Sequence, residues 1–72
     1  MISIKHRHTG RTIYEFDKEN FDNADLRQAN FSDADLSRMV LSECNLSGAD
    51  FSGADLRGAV FSNTNLAGAD FT

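Results

Sequence analysis

Three groups of side chains in this 72-residue sequence are of types that do chemistry: His6 and His8, Cys44, and eleven Asp and Glu residues. The two histidines are two residues apart, so on an extended segment they share a face and could reach one metal ion. A protein zinc site takes three or four ligands. The chain has no third histidine and its one cysteine is far along the sequence, so the pair reads as surface histidines and no metal is expected. Cys44 has no histidine phased with it to act as base, which a thiol nucleophile requires. It reads as a small filler of an apolar interior. The carboxylates recur because a motif recurs: Asp25, Asp35, Asp50, Asp55 and Asp70 each stand one residue before a large apolar residue. Acid–base catalysis needs a pair of groups set apart by their surroundings. Identical repeats make ladders of equivalent carboxylates, so no catalytic residue, no cofactor and no enzymatic activity are expected. Glu19 alone among the acids falls at a place the pattern points inward.

The element that must position these groups is set by a period of five. Taking the large apolar residue as centre, Phe or Leu stands at 16, 21, 26, 31, 36, 41, 46, 51, 56, 61, 66 and 71 without a slip. Two residues earlier comes a small residue, Ala at 24, 29, 34, 49, 54, 59 and 69, with Met39, Cys44 and Thr64 in the same place; Tyr14 and Glu19 break the rule. At about 100° per residue a helix would send successive centres 140° apart around its axis. A straight strand would flip every other centre to the opposite face. The pattern closes only if the chain turns a corner once per repeat. The small and large residues, two apart on a short extended segment, then both point inward.

The corner position agrees. Two residues after each centre stand Lys18, Asn23, Gln28, Asp33, Arg38, Glu43, Gly48, Gly53, Gly58, Asn63 and Gly68. Seven of these eleven are Gly, Asn or Asp, the types that tolerate positive φ. Ser precedes the corner at 32, 37, 42, 47, 52 and 62, where its hydroxyl is expected to cap backbone groups.

Charge and cysteine content bound the setting. Residues 1–14 carry Lys5, Arg7 and Arg11 and no acid; residues 15–72 carry all eleven acids against Lys18, Arg27, Arg38 and Arg57, a net charge of −7. Such a body repels phosphates, so direct nucleic-acid binding is not expected; a protein partner fits better. A single cysteine builds no disulfide framework and suits a reducing cytoplasm. No stretch approaches the ~20 apolar residues of a membrane span, and MISIKHRH lacks the apolar run of a signal peptide.

The units ADLRQ, ANFSD, ADLSR, ADFSG and ADLRG, in tandem from about residue 14 to 72, resemble the pentapeptide-repeat family. The resemblance implies an all-β fold, a right-handed quadrilateral β-helix with four repeats per coil and about three coils. The domain then divides into an N-terminal capping strand or hairpin over 1–14 and a β-helix over 15–72. Residues twenty apart would stack, giving the centres Phe16/Leu36/Leu56 and Phe31/Phe51/Phe71. Cap and turn are expected as ISIKHR, a turn around HTGR, and TIYEF.

The implied stacking assigns the faces. Glu15, Asp35 and Asp55 would form one column, with Lys18, Arg38 and Arg57 beside it. Asn30, Asp50 and Asp70 would form another, with Asp33 beside it and no cation on that side. Asp33, Asp50 and Asp70 are therefore candidate partner-binding residues. Val40 and Val60, where the repeat otherwise carries Asp or Asn, are a candidate apolar contact. The run stops in mid-repeat at Phe71–Thr72, so the ring of Leu56, Phe61, Leu66 and Phe71 is expected to be continued by further chain or covered. Family members of the quinolone-resistance type dimerise through their C-terminal ends, by elements this sequence does not carry; an end-to-end homodimer through the ring itself is the expectation here. The leading function is a non-enzymatic structural or protein-interaction solenoid. The alternative is a DNA-mimic regulator of a type II topoisomerase, since duplex DNA carries roughly 8 charges over the ~14 Å height of three coils, close to the body's −7. Four cations interrupt that charge.

Overall fold

The computed structural model describes residues 1–72 and contains strands and turns but no helix. Strand β1 (Ile2–His6) pairs antiparallel with β2 (Thr12–Phe16), and β1 pairs on its other edge, also antiparallel, with β3 (Ala34–Asp35). From residue 21 onward the chain is a succession of corners. Asn23, Gln28, Asp33, Arg38, Glu43, Gly48, Gly53, Gly58, Asn63 and Gly68 all have φ between 56° and 72°. The corner residue follows its centre by two, and the small residue beyond it usually donates back to that centre: Ala24 N–H to Phe21 O at 2.9 Å, Ala54 N–H to Phe51 O at 3.0 Å. These are turns of the class that demands positive φ at the third residue.

Between corners the backbone pairs with itself one level away. Parallel bridges join Asp25 to Asn45, Asn30 to Asp50, Asp35 to Asp55, Val40 to Val60, Asn45 to Asn65 and Asp50 to Asp70. Every bridge spans twenty residues, so the chain returns alongside itself at that interval. The ladder is two-way at each bridge: Leu26 N–H donates to Asn45 O, and Asn45 N–H to Ala24 O. A corner N–H also joins it, as Arg38 N–H donates to Arg57 O at 2.8 Å. Inside lie Phe21, Leu26, Phe31, Leu36, Leu41, Leu46 and Phe51, with Ala24, Ala34, Cys44 and Ala49 between them, all buried. Phe31, Phe51 and Phe71 form a stacked column with ring centroids 5.6 and 5.0 Å apart.

The start of the chain departs from the sequence expectation in four ways. Strand β2 is the expected TIYEF arm of the hairpin, but the first positive-φ corner is Asn23, not Lys18. Because β2 is held by β1, Phe16 does not stack over Leu36; its ring lies 4.9 Å from that of Phe21. Glu15 faces Ser3 across the hairpin, and Lys5 takes the place above Asp35. Glu19 does not point inward: its side chain is 95% exposed, 3.9 Å from the Met1 amino group.

The hairpin closes one end of the stack. Ile4 is fully buried, and Tyr14 sets its ring edge against Phe31 at 5.1 Å. Arg7 ties the hairpin to two levels at once. Its N–H donates to Asp33 O at 2.8 Å, and its guanidinium Nη1 donates to Gly53 O at 2.8 Å. At the opposite end Leu56, Phe61 and Leu66 are only half-buried, and Phe71 is 50% exposed.

Candidate interaction surfaces

The outward Asp and Asn side chains are structural before they are anything else. Each accepts the backbone N–H two residues on: Asp25 Oδ1 from Arg27, Asn30 Oδ1 from Ser32, Asp50 Oδ1 from Ser52, Asp70 Oδ1 from Thr72, at 2.9–3.3 Å. Short side chains that fold back on their own backbone stabilise turns in this way. The sequence reading gave this capping to Ser hydroxyls. Those of Ser32 and Ser37 instead donate to Asn30 and Asp35. The signal for the true caps was present in the fixed distance from each Asp or Asn to the corner.

Two carboxylates are further committed. Arg27 and Arg57 each clamp the Asp two residues before them with Nε and Nη2, at 2.8 Å for both contacts to Asp25 and 3.0 and 2.8 Å to Asp55. Planar two-point pairing of this kind is the strong form of the interaction. The Arg57 side chain, followed by its backbone N–H, holds the Asp55 carboxyl down at about 2, from an ordinary 3.8. Asp25 is lowered by Arg27, Asp35 by the Ser37 hydroxyl, and Asp70 by the Thr72 N–H and hydroxyl. A carboxyl depressed in the folded state contributes stability above its unfolded value, and that contribution is lost as pH falls through the folded value. The urea midpoint is therefore expected to drop as pH falls from 3.8 towards about 2. Asp55→Asn keeps the turn acceptor but not the charge, so its midpoint should fall less over that window. Parallel pH curves for the two chains would show that Asp55 is not a titrating contributor.

The residues singled out by the sequence fall on three surfaces. Asn30, Asp50 and Asp70 lie in one bridged column, and Asp33 is at the adjoining corner. That side is not free of basic residues. His6 Nε2 approaches Asp33 Oδ2 at 4.0 Å, and Arg7 reaches Gly53 at the same corner. Val40 and Val60 are bridged to one another and are 55% and 40% exposed. Leu56, Phe61, Leu66 and Phe71 line the open end, where the Phe61 ring meets Phe51 and Phe71 edge-on.

The remaining reactive groups are engaged locally. His6 Nδ1 accepts the N–H groups of His8 and Thr9 at 3.1 and 3.3 Å, closing the hairpin turn, so that nitrogen is occupied by the backbone. Cys44 is buried and its thiol donates to Phe21 O at 2.9 Å; burial raises its pKa. Thr64, one level on, does the same for Leu41 O at 2.7 Å. The surface hollows are shallow and polar, one lined by Asp25, Arg27 and Gln28, one by Ser37, Arg38 and Arg57, and one by His6, Ile13, Asn30, Ser32 and Asp33. No helix is long and apolar enough to cross a membrane.

A family model for pentapeptide repeats matches residues 20–58 and 44–72, with eight copies of the repeat. Searches of curated proteins and of solved structures returned no significant match. The matched residues cover the stretch in which every fifth residue turns a corner, and the chain belongs to the pentapeptide-repeat family.

Proposed function

We propose that this chain is a non-enzymatic protein-interaction module: a right-handed quadrilateral β-helix that associates through its C-terminal end. Ten corners at four per coil make two and a half coils, and the hairpin supplies the pairing of the missing half, about three levels in all. Membership of the repeat family supports the interaction role. The observation that carries the choice of surface is the contrast between the two ends. The hairpin buries Ile4 and covers Phe31, whereas at the other end Phe71 is half exposed and Leu56, Phe61 and Leu66 are only partly covered. Residues 56–72 contain one Arg and one Asp. Two copies of this end would meet without charge repulsion, each burying the aromatic cluster of the other.

The reading is tested by light scattering on the chain and on a Phe61→Glu/Phe71→Glu variant. The chain should be a dimer at high micromolar concentration and the variant a monomer. A monomeric wild-type chain under those conditions would remove end-to-end association. A DNA-mimic role is less favoured, because Asp25 and Asp55, two of the charges it would use, are neutralised in place by Arg27 and Arg57.

A further inference from the structure

One face of the coil lacks the cap that the others have. Wherever the outward residue is Asp or Asn, the backbone N–H two residues on is satisfied by its side chain: Asp22 by Asn20, Arg27 by Asp25, Ser32 by Asn30, Ser37 by Asp35, Ser47 by Asn45, Ser52 by Asp50, Arg57 by Asp55 and Ala67 by Asn65. At 40 and 60 the residue is Val. The N–H groups of Ser42 and Ser62 have no acceptor in the protein, from side chain or backbone. They stand on adjacent levels of one face, ~4.8 Å apart by the usual strand spacing.

Beside these free donors lies an exposed aliphatic pair, Val40 and Val60, at 55% and 40%. The corner before them carries Arg38, which makes no ion pair; with Ser37 and Arg57 it lines a shallow hollow. The stem of Arg38 lies over Gly58, where a Cβ would come within 3.2 Å of its Cγ. Across one side of the coil the surface thus offers, in order, an unpaired guanidinium, an aliphatic patch, and backbone N–H donors whose natural partner in this fold is a carboxamide or carboxylate oxygen. Glu43 follows Ser42 directly and its own N–H bonds to Ser62 O. A neutral amide oxygen therefore suits the donor end better than a second carboxylate.

We propose that the Val40/Val60 face is a docking strip for an extended peptide segment of the order acid–x–aliphatic–x–Asn. In such a segment alternate side chains face the same way at ~3.3 Å per residue. The acid pairs with Arg38, the aliphatic side chain covers Val40 and Val60, and the Asn oxygen takes the place of the missing cap on Ser42 or Ser62. This deepens the interaction reading above, on which it rests, but uses a different surface from the C-terminal end.

The test is a titration of the ¹⁵N-labelled full chain with the capped peptide acetyl-Gly-Asp-Ser-Val-Ser-Asn-Gly-amide, up to a few millimolar. The Ser42 and Ser62 amide signals should move saturably. A Val40→Asn/Val60→Asn variant supplies its own caps, so it should stay folded and bind the peptide at least about tenfold more weakly, as expected for losing an apolar contact and a hydrogen bond. No saturable shift, or equal binding by the variant, overturns the proposal. So do Ser42 and Ser62 shifts that depend on protein concentration without peptide, since the occupant is then a second copy. If the peptide fails while light scattering still shows an end-to-end dimer, the module stands and this face is not its docking site.

Discussion

Phe31→Ala is expected to remove most of the stability of this chain. Phe31 has no exposed surface and joins the two parts of the molecule, with Tyr14 of the hairpin edge-on at 5.1 Å and Phe51 stacked at 5.6 Å. Truncating a buried Phe costs about 3–5 kcal/mol through lost transfer energy and the cavity left behind. The Ala columns and the hydrogen-bonded ladder on every side hold the walls apart, so the site has little freedom to collapse. A domain of this length is stabilised by roughly 4–11 kcal/mol in total, so the loss is a large share of it. Urea unfolding followed by circular dichroism should show the midpoint collapse. Phe71→Ala removes the same ring from the same column, but at a half-exposed place with protein on one side only. At a concentration where the chain is monomeric it should cost far less. Equal losses at 31 and 71 would mean that enclosure within the coil does not set the energetics.

The period of five was legible because it answers a geometric demand that neither helix nor strand can meet, and the corners fall where it places them from Asn23 to Gly68. Corner composition was the weaker signal. Gln28, Arg38 and Glu43 adopt φ of 60–62° although their types disfavour it. Each is held there by a ladder bond from its own N–H, to Ser47 O, Arg57 O and Ser62 O. Tertiary pairing overrides local preference at these positions. At the start the hairpin arms lie where ISIKHR and TIYEF placed them, but Phe16 and Glu15 were also counted in the repeat columns, and β1 takes that place: Lys5 displaces Glu15 from the column above Asp35. On the candidate surfaces, the exposed valines could be read from the sequence. The free Ser42 and Ser62 donors follow from the same two valines once the cap is assigned to the Asp or Asn two residues before each N–H and not to Ser.

The second large effect concerns the hairpin. Ile4→Asp is expected to release it from the coil. Ile4 is fully buried, opposite Tyr14 in the hairpin register and one residue from the β1–β3 pairing. The substitution removes an aliphatic group worth about 2–5 kcal/mol at a buried site and leaves a carboxylate that no nearby cation is placed to meet. Lys5 is held by the Thr12 hydroxyl and Arg7 by Gly53 O. Burying an unpaired charge costs several kcal/mol more, so the hairpin lowers its energy by undocking. Tyr14 is the only tyrosine and there is no tryptophan, which makes tyrosine emission a report on this one contact. In the variant Tyr14 should be solvent-exposed without denaturant, and the amides of Lys5, His6 and Arg7 should lose protection from exchange. The urea midpoint should also fall, because the upper side of Phe31 becomes wet. Ser3→Asn, one residue away on the exposed face of β1 and neutral opposite Glu15, should change none of these. If Ile4→Asp keeps wild-type emission and midpoint, the hairpin does not close the stack.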